Sequence, residues 1–583
     1  MRSINFQVYR FSYHSVKNKS EKLLKLKYFS GIQFHFKMNK EKNFNRLLMK
    51  KQFTNFIFLN LALFIFISAN IVLADEQEIV AQKLESFISE TPSQSGAHCG
   101  FQDLVNLREH MNQLSPSVQG LVKSVLFETY PERQDSVSSP KGHFMLHFDR
   151  TGTHAVPPED ILGNGIPDYI DSAGVYLDHV WDVEINQLGF KAPPDRLGNP
   201  VQIYPIYFTS FGYYGLTTWI EPDIANLPGV NYPSYIELHN DYEGSMFYSN
   251  GLDGLKVTCA HEFNHAIQLG YNFRLDDDLF MMEMTSTWLE DYVYNDVNDY
   301  VFYLDDLFRD LFRIGFTKDS GFYPYANSLF LRMIGKKYGP QIVPEIWDNI
   351  QTNKAFDAIG DVLQEYGSSF SESQNLYAGW LYFTGSRSII DTYFDEGTLY
   401  PELILDEGMD SFGNGLVPLG VRLVQIDPEY NQIVGASVSS SATGKFNHIL
   451  NETELLKPIN FNARQILSVN ENDPVVVVMS NPTNDKIEDL DYTMEPQSVV
   501  IGPNPVIVKS GDGYMSFSNL PGLSTVYLFN LNGFLVRKID GSSNDAAIWD
   551  LKDHNGAQIA TGIYIYHIKA DGFEKLGKIS VIR

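Results

Sequence analysis

The sequence predicts a multidomain protein in which an α+β domain is followed by two all-β modules. The chain has 583 residues, more than one hydrophobic core usually serves. Strand-like runs precede a long helical stretch between 141 and 400, an order typical of an α+β domain. After about 410 the pattern changes to short apolar strands separated by turns rich in Gly, Ser and Asn. Such a pattern indicates β-sandwich modules.

The first 74 residues are interpreted as a leader that ends in a secretory signal peptide. Residues 52–74 form the longest apolar run, with two lysines before it and the small-residue ending V-L-A. The run approaches the length of a membrane anchor, but its ending favours cleavage before Asp75. We therefore expect no permanent membrane span after cleavage. Translation from Met49 would give a signal sequence of ordinary length, so we expect the true start there.

The exported part is strongly acidic. Residues 1–74 hold 13 of the 44 basic residues and 2 of the 71 acidic ones. The remainder therefore carries 31 basic and 69 acidic residues, a net charge of −38. Such a surface repels phosphate backbones and anionic lipids, so we expect no nucleic-acid partner.

The helices and strands of the α+β domain follow from the hydrophobic periodicity. Residues 75–140 are predicted to form an N-terminal helical region or pro-region. The segment PERQDSVSSPKG (131–142) is interpreted as a linker to the next domain. Residues 141–400 form the predicted α+β domain, in which 276–390 is mostly helical. A helix is expected over 169–190. The expected strands are FMLHF (144–148), PVQIYPIYF (200–208) and SYIELHN (234–240).

The stretch CAHEFNHAIQ, residues 259–268, carries the chemistry of this domain. Residues four apart on a helix lie on one face, so His261 and His265 can direct both imidazoles at one metal ion. Glu262 lies about 100° around the helix, where it can act as a general base without being a ligand. The alternative is a buried helix with two packed histidines.

A catalytic zinc site needs a third protein ligand. The H-E-x-x-H-x-x-G-x-x-H pattern requires Gly and His at positions that Gln268 and Tyr271 occupy here. Glu283, eighteen residues beyond His265, lies within an apolar and small-residue stretch of the next predicted helix. A carboxylate there is costly to bury unless it is paired or bound to a metal. Glu283 is therefore the predicted third zinc ligand.

These residues resemble the gluzincin metallopeptidases, which bind zinc through two histidines and a glutamate. The segment FMMEMTSTW around Glu283 is similar to the corresponding segment of zinc aminopeptidase-like folds. The resemblance implies a zincin-like fold for residues 141–400, with Zn²⁺ as the cofactor. Thr287 stands where the thermolysin type has an Asp, so Glu290 or Asp291 is expected to support a histidine instead.

The same resemblance assigns a second catalytic residue and a substrate preference. Tyr325, in YPYANSLF, matches the tyrosine that stabilises the oxyanion in the aminopeptidase-like family. Aminopeptidases bind the free amine through a glutamate in a G-x-M-E-N loop, whereas GSMFY (244–248) has Phe247 at that position. An endopeptidase acting on protein or peptide substrates is therefore favoured. The strand over 234–240 is expected to be the edge that aligns the peptide.

Two other features leave alternatives open. Asp160, Asn164 and Asp168 are spaced like the oxygen ligands of a Ca²⁺ loop, although a capped turn before the next helix explains them equally well. Cys99 can occupy the open position of a zinc site and hold the enzyme latent, form a disulfide with Cys259, or remain a buried thiol.

The all-β part is predicted to comprise two modules, 410–497 and 498–583. In the second, Asn532-Gly533 joins two strand-like runs and indicates a β-hairpin. IGPNP (501–505), WDLKDHNGAQIATGIYIYHI (549–568) and the final KISVIR resemble the C-terminal sorting domain of type IX secretion cargo. The resemblance implies the type IX machinery as a partner, and a secreted or cell-surface protein.

The leading hypothesis is a secreted zinc metalloendopeptidase. The alternative is a non-enzymatic surface adhesin in which β-sandwiches accompany a degenerate zincin domain. Glu262 is intact, and a binding protein has no need of a general base, so the enzyme is favoured.

Overall fold

The computed structural model divides the chain into two compact units, residues 1–81 and 82–583. Within the described residues, no helix is both long enough and apolar enough to cross a membrane. The predicted signal peptide, 52–74, lies outside the described residues. These residues are 17–18, 21–27, 33–37, 99–111, 130–220, 232–271, 275–428, 432–469, 473–508, 513–521, 524–540, 546–570 and 573–583.

The first unit contains a small antiparallel sheet. Its strands are β1 (Lys17–Asn18), β2 (Glu21–Lys27) and β3 (Gln33–Lys37), in that order. Strands were not predicted in this leader.

Within the second unit, five strands form a mixed sheet of order β4-β5-β6-β8-β7. The three central strands are parallel to each other, and the strand at each edge is antiparallel to its neighbour. The helix that precedes the sheet is α1 (Phe101–His110). The strands are β4 (Asp135–Ser138), β5 (Phe144–Phe148), β6 (Tyr204–Thr209), β7 (Gly215–Trp219) and β8 (Ser234–His239).

Two sequence predictions about this sheet are wrong. The predicted linker 131–142 contains β4, because Ser and Asp side chains are tolerated on a half-exposed edge strand. The segment 234–240 is not the sheet edge: β8 lies between β6 and β7, and β7 is the edge strand. Every residue of β7 is buried, so its sequence GLTTW lacks the polar alternation that would have marked an edge.

Helices pack on this sheet. The predicted helix over 169–190 is α2 (Asp168–Trp181), which continues as a π-helix over Asp182–Leu188 and ends at Gly189 with φ 91°. Phe263 of the following helix, α3 (Gly251–Gln268), packs edge-on against aromatic residues of β5 and β6. Further along the described residues the α-helices are α4 (Leu275–Val293), α5 (Leu304–Asp310), α6 (Tyr323–Ala326), α7 (Ser328–Tyr338), α8 (Ile342–Ile350), α9 (Ala355–Glu365) and α10 (Phe370–Tyr382).

The next part is a β-sandwich that begins at Asp406, slightly before the predicted range 410–497. One sheet has the order β13-β12-β16-β10-β9, with β14 paired to β12, and the other β15-β11-β17. Apolar residues of both sheets, such as Val477 and Val434, form one common core. The strands are β9 (Asp406–Glu407), β10 (Val421–Ile426), β11 (Gln432–Ser439), β12 (Lys445–Leu450), β13 (Glu454–Leu455), β14 (Ile459–Asn460), β15 (Gln465–Val469), β16 (Val475–Ser480) and β17 (Asp491–Pro496).

The C-terminal part has two further sheets around a separate core. Their orders are β18-β20-β23 and β19-β25-β24-β21-β22. The predicted hairpin at Asn532-Gly533 joins β21 to β22, and Gly533 has the positive φ of 80° that this turn needs. Ile433 and Ile466 of the preceding sandwich also belong to this core. The strands are β18 (Val500–Gly502), β19 (Val506–Ile507), β20 (Met515–Ser518), β21 (Thr525–Asn530), β22 (Leu535–Asp540), β23 (Ala546–Trp549), β24 (Gly562–Ala570) and β25 (Phe573–Ile582).

Candidate metal centre

Helices α3 and α4 bring the predicted metal ligands together. His261 and His265 lie one turn apart on α3, and Glu283 faces them from α4. All three side chains are fully buried. With Cys99 they form a group whose ligand atoms all lie within 4.8 Å of one another. This is the one group of its kind in the part of the chain that the structure describes, and it could hold a metal ion.

The spacing of the donor atoms fits a tetrahedral ion. The two Nε2 atoms of His261 and His265 are 3.1 Å apart. Oε2 of Glu283 lies 3.3 Å from His261 Nε2 and 3.5 Å from His265 Nε2. Two nitrogen ligands of a tetrahedral zinc ion, each about 2.0–2.1 Å from the metal, lie about 3.3–3.4 Å apart. The three side chains can therefore share one ion without a large rearrangement.

The charges in the cluster also favour a cation. Burial raises the pKa of Glu283, but the charges and hydrogen bonds of His265 and His261 lower it to about 2. Burial lowers the pKa of His261, whereas Glu283 and Glu290 raise it to about 10. A carboxylate that holds a proton on the buried His261 imidazole provides the negative charge that a divalent ion needs in its place.

Each histidine is oriented by a second hydrogen bond. His261 Nδ1 lies 2.6 Å from Glu290 Oε1, and His265 Nδ1 lies 2.8 Å from Gln268 Oε1. Such bonds fix the tautomer that leaves Nε2 free for a metal. Of the two predicted alternatives, Glu290 supports the histidine, whereas Asp291 forms an ion pair with Arg332. Gln268 was not predicted to have this role.

Glu262 lies beside the cluster and contacts the edge strand of the sheet. Its Oε2 accepts a 2.6 Å hydrogen bond from Thr217 Oγ1, whose hydroxyl also lies 2.9 Å from the Glu262 carbonyl oxygen. A Cβ atom on Gly215 would lie 2.4 Å from Glu262 Cγ, so glycine is required for this approach. Thr217 and Gly215 were not predicted, since nothing in the sequence pairs β7 with α3.

Tyr325 lies on α6 against the cluster. Its ring stacks on the His261 ring, with centroids 5.9 Å apart and planes 11° from parallel. Burial, Glu283 and Cys99 raise the pKa of Tyr325 well above its usual range, so its hydroxyl stays protonated and interacts with Glu283. The structure therefore brings together all five predicted residues: His261, Glu262, His265, Glu283 and Tyr325.

Cys99 also reaches the cluster, from the segment before the sheet. Its thiol donates to Glu262 Oε1 at 3.1 Å. Burial, Glu262 and Glu283 raise the pKa of the Cys99 thiol well above its usual range. Cys259 is also buried and free, so the disulfide alternative is wrong.

The predicted calcium residues lie in an exposed loop that opens α2. Asp160 accepts hydrogen bonds from the backbone N–H groups of Asn164 and Gly165, at 3.1 and 2.8 Å. Asp168 accepts one from the N–H of Ile161 at 2.9 Å. These contacts close a turn within the loop, as the alternative interpretation expects, although Pro167 at the N-cap of α2 makes no side-chain capping bond. Calcium binding at Asp160, Asn164 and Asp168 stays a prediction.

Comparisons with known proteins give weak similarities. No family model matches the chain, and neither does any curated protein. Among solved structures, PorZ, a surface component of the type-IX secretion system of Porphyromonas gingivalis, is 24% identical over 15% of this chain and 12% of its own, with a TM-score of 0.14. Dimeric latent PorU of the same organism is 13% identical over 30% and 19%, with a TM-score of 0.12. The BSP domain of a biofilm associated protein is 12% identical over 30% and 28%, also at 0.12. The aligned part thus spans less than a third of each of these three chains.

Proposed function

We propose that the protein is a secreted zinc metallopeptidase, with endopeptidase activity on protein or peptide substrates. The observation that carries the proposal is the convergence of His261 Nε2, His265 Nε2 and Glu283 Oε2 beside a buried Glu262 that is not among the three. Two imidazoles and one carboxylate are a ligand set that suits a catalytic zinc and leaves one position open. When bound there, zinc would polarise the scissile carbonyl and increase the acidity of a water.

The side chains of the protein perform the proton transfers. Glu262 takes a proton from the water that attacks the carbonyl carbon and returns it to the leaving nitrogen. Thr217 fixes the Glu262 carboxylate by its 2.6 Å hydrogen bond. Tyr325 donates a hydrogen bond to the oxygen that becomes negative in the transition state. The products are a carboxylate and an amine, so water is the only co-reactant.

The substrate peptide is proposed to bind along β7. This strand is the edge of the sheet and passes next to Glu262 at Gly215. Its outer backbone groups can bind an extended peptide as an added strand. Phe247, which replaces the amine-binding glutamate, is buried against Tyr214 and His239. It offers no charge to a peptide N-terminus, in keeping with an endopeptidase.

The test is metal analysis combined with casein hydrolysis. Because the Cys99 thiol lies in the site, the purified protein is assayed as wild type and as Cys99→Ala. About one zinc per chain and chelator-sensitive hydrolysis by Cys99→Ala are expected. Stoichiometric zinc without hydrolysis of any protein would favour the adhesin alternative. Absence of zinc from both proteins would contradict the metal centre itself.

Tyr325→Phe is expected to lower kcat by about 10²–10³-fold with little change in KM. The substitution removes one hydroxyl and keeps the ring stacked on His261, so the zinc content should not change. The matched control is Tyr323→Phe on the same short helix, whose hydroxyl bonds to Asp310 at 3.2 Å. Weaker zinc binding in Tyr325→Phe would instead show that the hydroxyl positions Glu283 and is not an oxyanion donor.

We further propose that residues 498–583 direct the protein through the type IX machinery to the surface or the medium. The support is the sequence resemblance of this module together with its own two-sheet core. The module lies far along the chain from the metal centre, and the described ligands do not include any of its residues.

Deletion of residues 499–583 is expected to leave the protein in the periplasm with its zinc content unchanged. Ile433 and Ile466 lose their cover in this variant, so a version in which both are also replaced by Ser controls for aggregation. The measurement is the distribution between periplasm, surface and medium by immunoblot. Equal extracellular amounts with and without the module would argue against a sorting role.

A further inference from the structure

The segment from Cys99 to the end of α1 covers the metal centre. Gly100 N–H donates to the Gly215 carbonyl at 3.0 Å, and Cys99 forms a parallel bridge with Gly215 at the start of β7. The Phe101 ring stacks on His265, with centroids 4.3 Å apart and planes 13° from parallel. The segment therefore occupies the sheet edge that the proposed function gives to the substrate.

Side chains along α1 fix the segment in this place. Leu104, Val105 and Leu107 are buried. Arg108 donates a 2.8 Å hydrogen bond to the Tyr232 hydroxyl, and its guanidinium lies 4.9 Å from the centroid of the Trp219 ring. Several side chains of α1 therefore hold the segment against the rest of the domain.

The position of the thiol is specific. Its sulfur is within 4.8 Å of the ligand atoms of His261, His265 and Glu283, and 3.1 Å from the oxygen of Glu262. A fourth ligand must approach the three donors, and an attacking water must approach Glu262. The Cys99 sulfur lies close to the three donors and also to Glu262. It therefore occupies the place of the attacking water, and the two cannot be present together.

We propose that Cys99 is the fourth metal ligand of a latent form, in which residues 99–111 act as an intramolecular inhibitor of the peptidase. The inference rests on the proposed function, since it adds regulation to the same site. Ligation converts the thiol to a thiolate and releases one proton, for which Glu262 Oε1 is the adjacent acceptor. The enzyme becomes active when the segment leaves the edge strand and the sulfur leaves the metal.

Cobalt substitution tests the ligation without any activity assay. Co²⁺ is bound to the purified full-length protein in place of zinc, and the near-ultraviolet thiolate-to-cobalt charge-transfer band is recorded with the visible d–d bands. Wild type is expected to show both, whereas Cys99→Ala loses the charge-transfer band and keeps the d–d bands. Cys259→Ala is the matched control, because this second buried thiol lies outside the cluster; it should match the wild type.

A second variant loosens the segment and leaves the thiol in place. Arg108→Ala removes the contacts to Tyr232 and Trp219, so the charge-transfer band should weaken and hydrolysis should rise. Cys99→Ala removes the sulfur from the metal but keeps the other contacts of the segment, so it should hydrolyse casein faster than wild type by up to about 10²-fold if the wild type is closed about 99% of the time. Cys259→Ala should leave the wild-type rate unchanged.

The outcomes separate the two proposals. Cobalt bound by wild type with no charge-transfer band, or with a band that survives Cys99→Ala, would overturn the inference and leave the proposed function intact. A band with equal hydrolysis by wild type and Cys99→Ala would also overturn latency. Failure of both proteins to bind cobalt or zinc would overturn the metal centre and the inference with it.

Discussion

Glu262→Gln is expected to lower peptide hydrolysis by at least about 10²–10⁴-fold while the zinc content stays at the wild-type level. The amide has the shape of the carboxylate and can still accept the hydrogen bond from Thr217. It cannot take a proton from water at neutral pH. The measurement is casein or peptide hydrolysis in the Cys99→Ala background, with zinc determined on the same samples.

The structure offers a matched control for this substitution. Glu184 is also fully buried in the same domain, and burial raises the pKa of its carboxyl well above the usual range. Asn264 of the metal-centre helix lies 3.4 Å from it. Because burial favours the uncharged form of this carboxyl, Glu184→Gln should change activity little. Hydrolysis by Glu262→Gln within a few-fold of the Glu184→Gln rate would exclude Glu262 as the base.

Glu283→Ala is expected to abolish stoichiometric zinc binding. Loss of an outer partner typically costs about 10–100-fold in metal affinity, and loss of a direct ligand costs more. The remaining histidines are 3.1 Å apart at Nε2, so they would repel each other when both are protonated. Competition with a chromophoric chelator measures the affinity, and circular dichroism checks the fold.

Substitutions of two other residues on α4 provide zinc affinities with which that of Glu283→Ala can be compared. Glu290→Gln removes the charge that orients His261 and should lower zinc affinity by about 10–100-fold. Thr287→Val should leave affinity unchanged, because within the described residues the Thr287 hydroxyl has no hydrogen-bond partner. The predicted order of zinc affinity is therefore Thr287→Val, then Glu290→Gln, then Glu283→Ala. Equal affinities for Glu283→Ala and Thr287→Val would move the third ligand elsewhere.

The sequence was informative where chemistry and helix periodicity coincide. The i, i+4 spacing of His261 and His265 fixed their common face, and the apolar surroundings of Glu283 marked it as a paired carboxylate. These residues lie together in the structure as predicted. The sequence could not show whether Glu290 or Asp291 supports the histidine. Adjacent residues of a helix point in directions about 100° apart, and the residue that each of them contacts lies far away in the sequence.

Features that depend on long-range pairing were not predictable in the same way. Cys99 and Glu262 are 163 residues apart, and no periodicity connects them. β7 is the edge strand because β8 pairs with β6 and lies between β6 and β7. The GLTTW sequence of β7 does not indicate this strand order. The strand β4 was mistaken for a linker because its serines and aspartate are typical of turns.

The complete burial of the cluster, against which Cys99 and Phe101 pack, has a consequence for metal exchange. His261, His265 and Glu283 have no solvent-exposed surface, and Cys99 has only 2%. A chelator or an incoming ion can reach the donors only when the protein around them opens locally, so the rate of that opening limits both loading and loss. The closed protein should therefore release its ion slowly even where equilibrium favours the chelator, and loading should be fastest before α1 docks during folding.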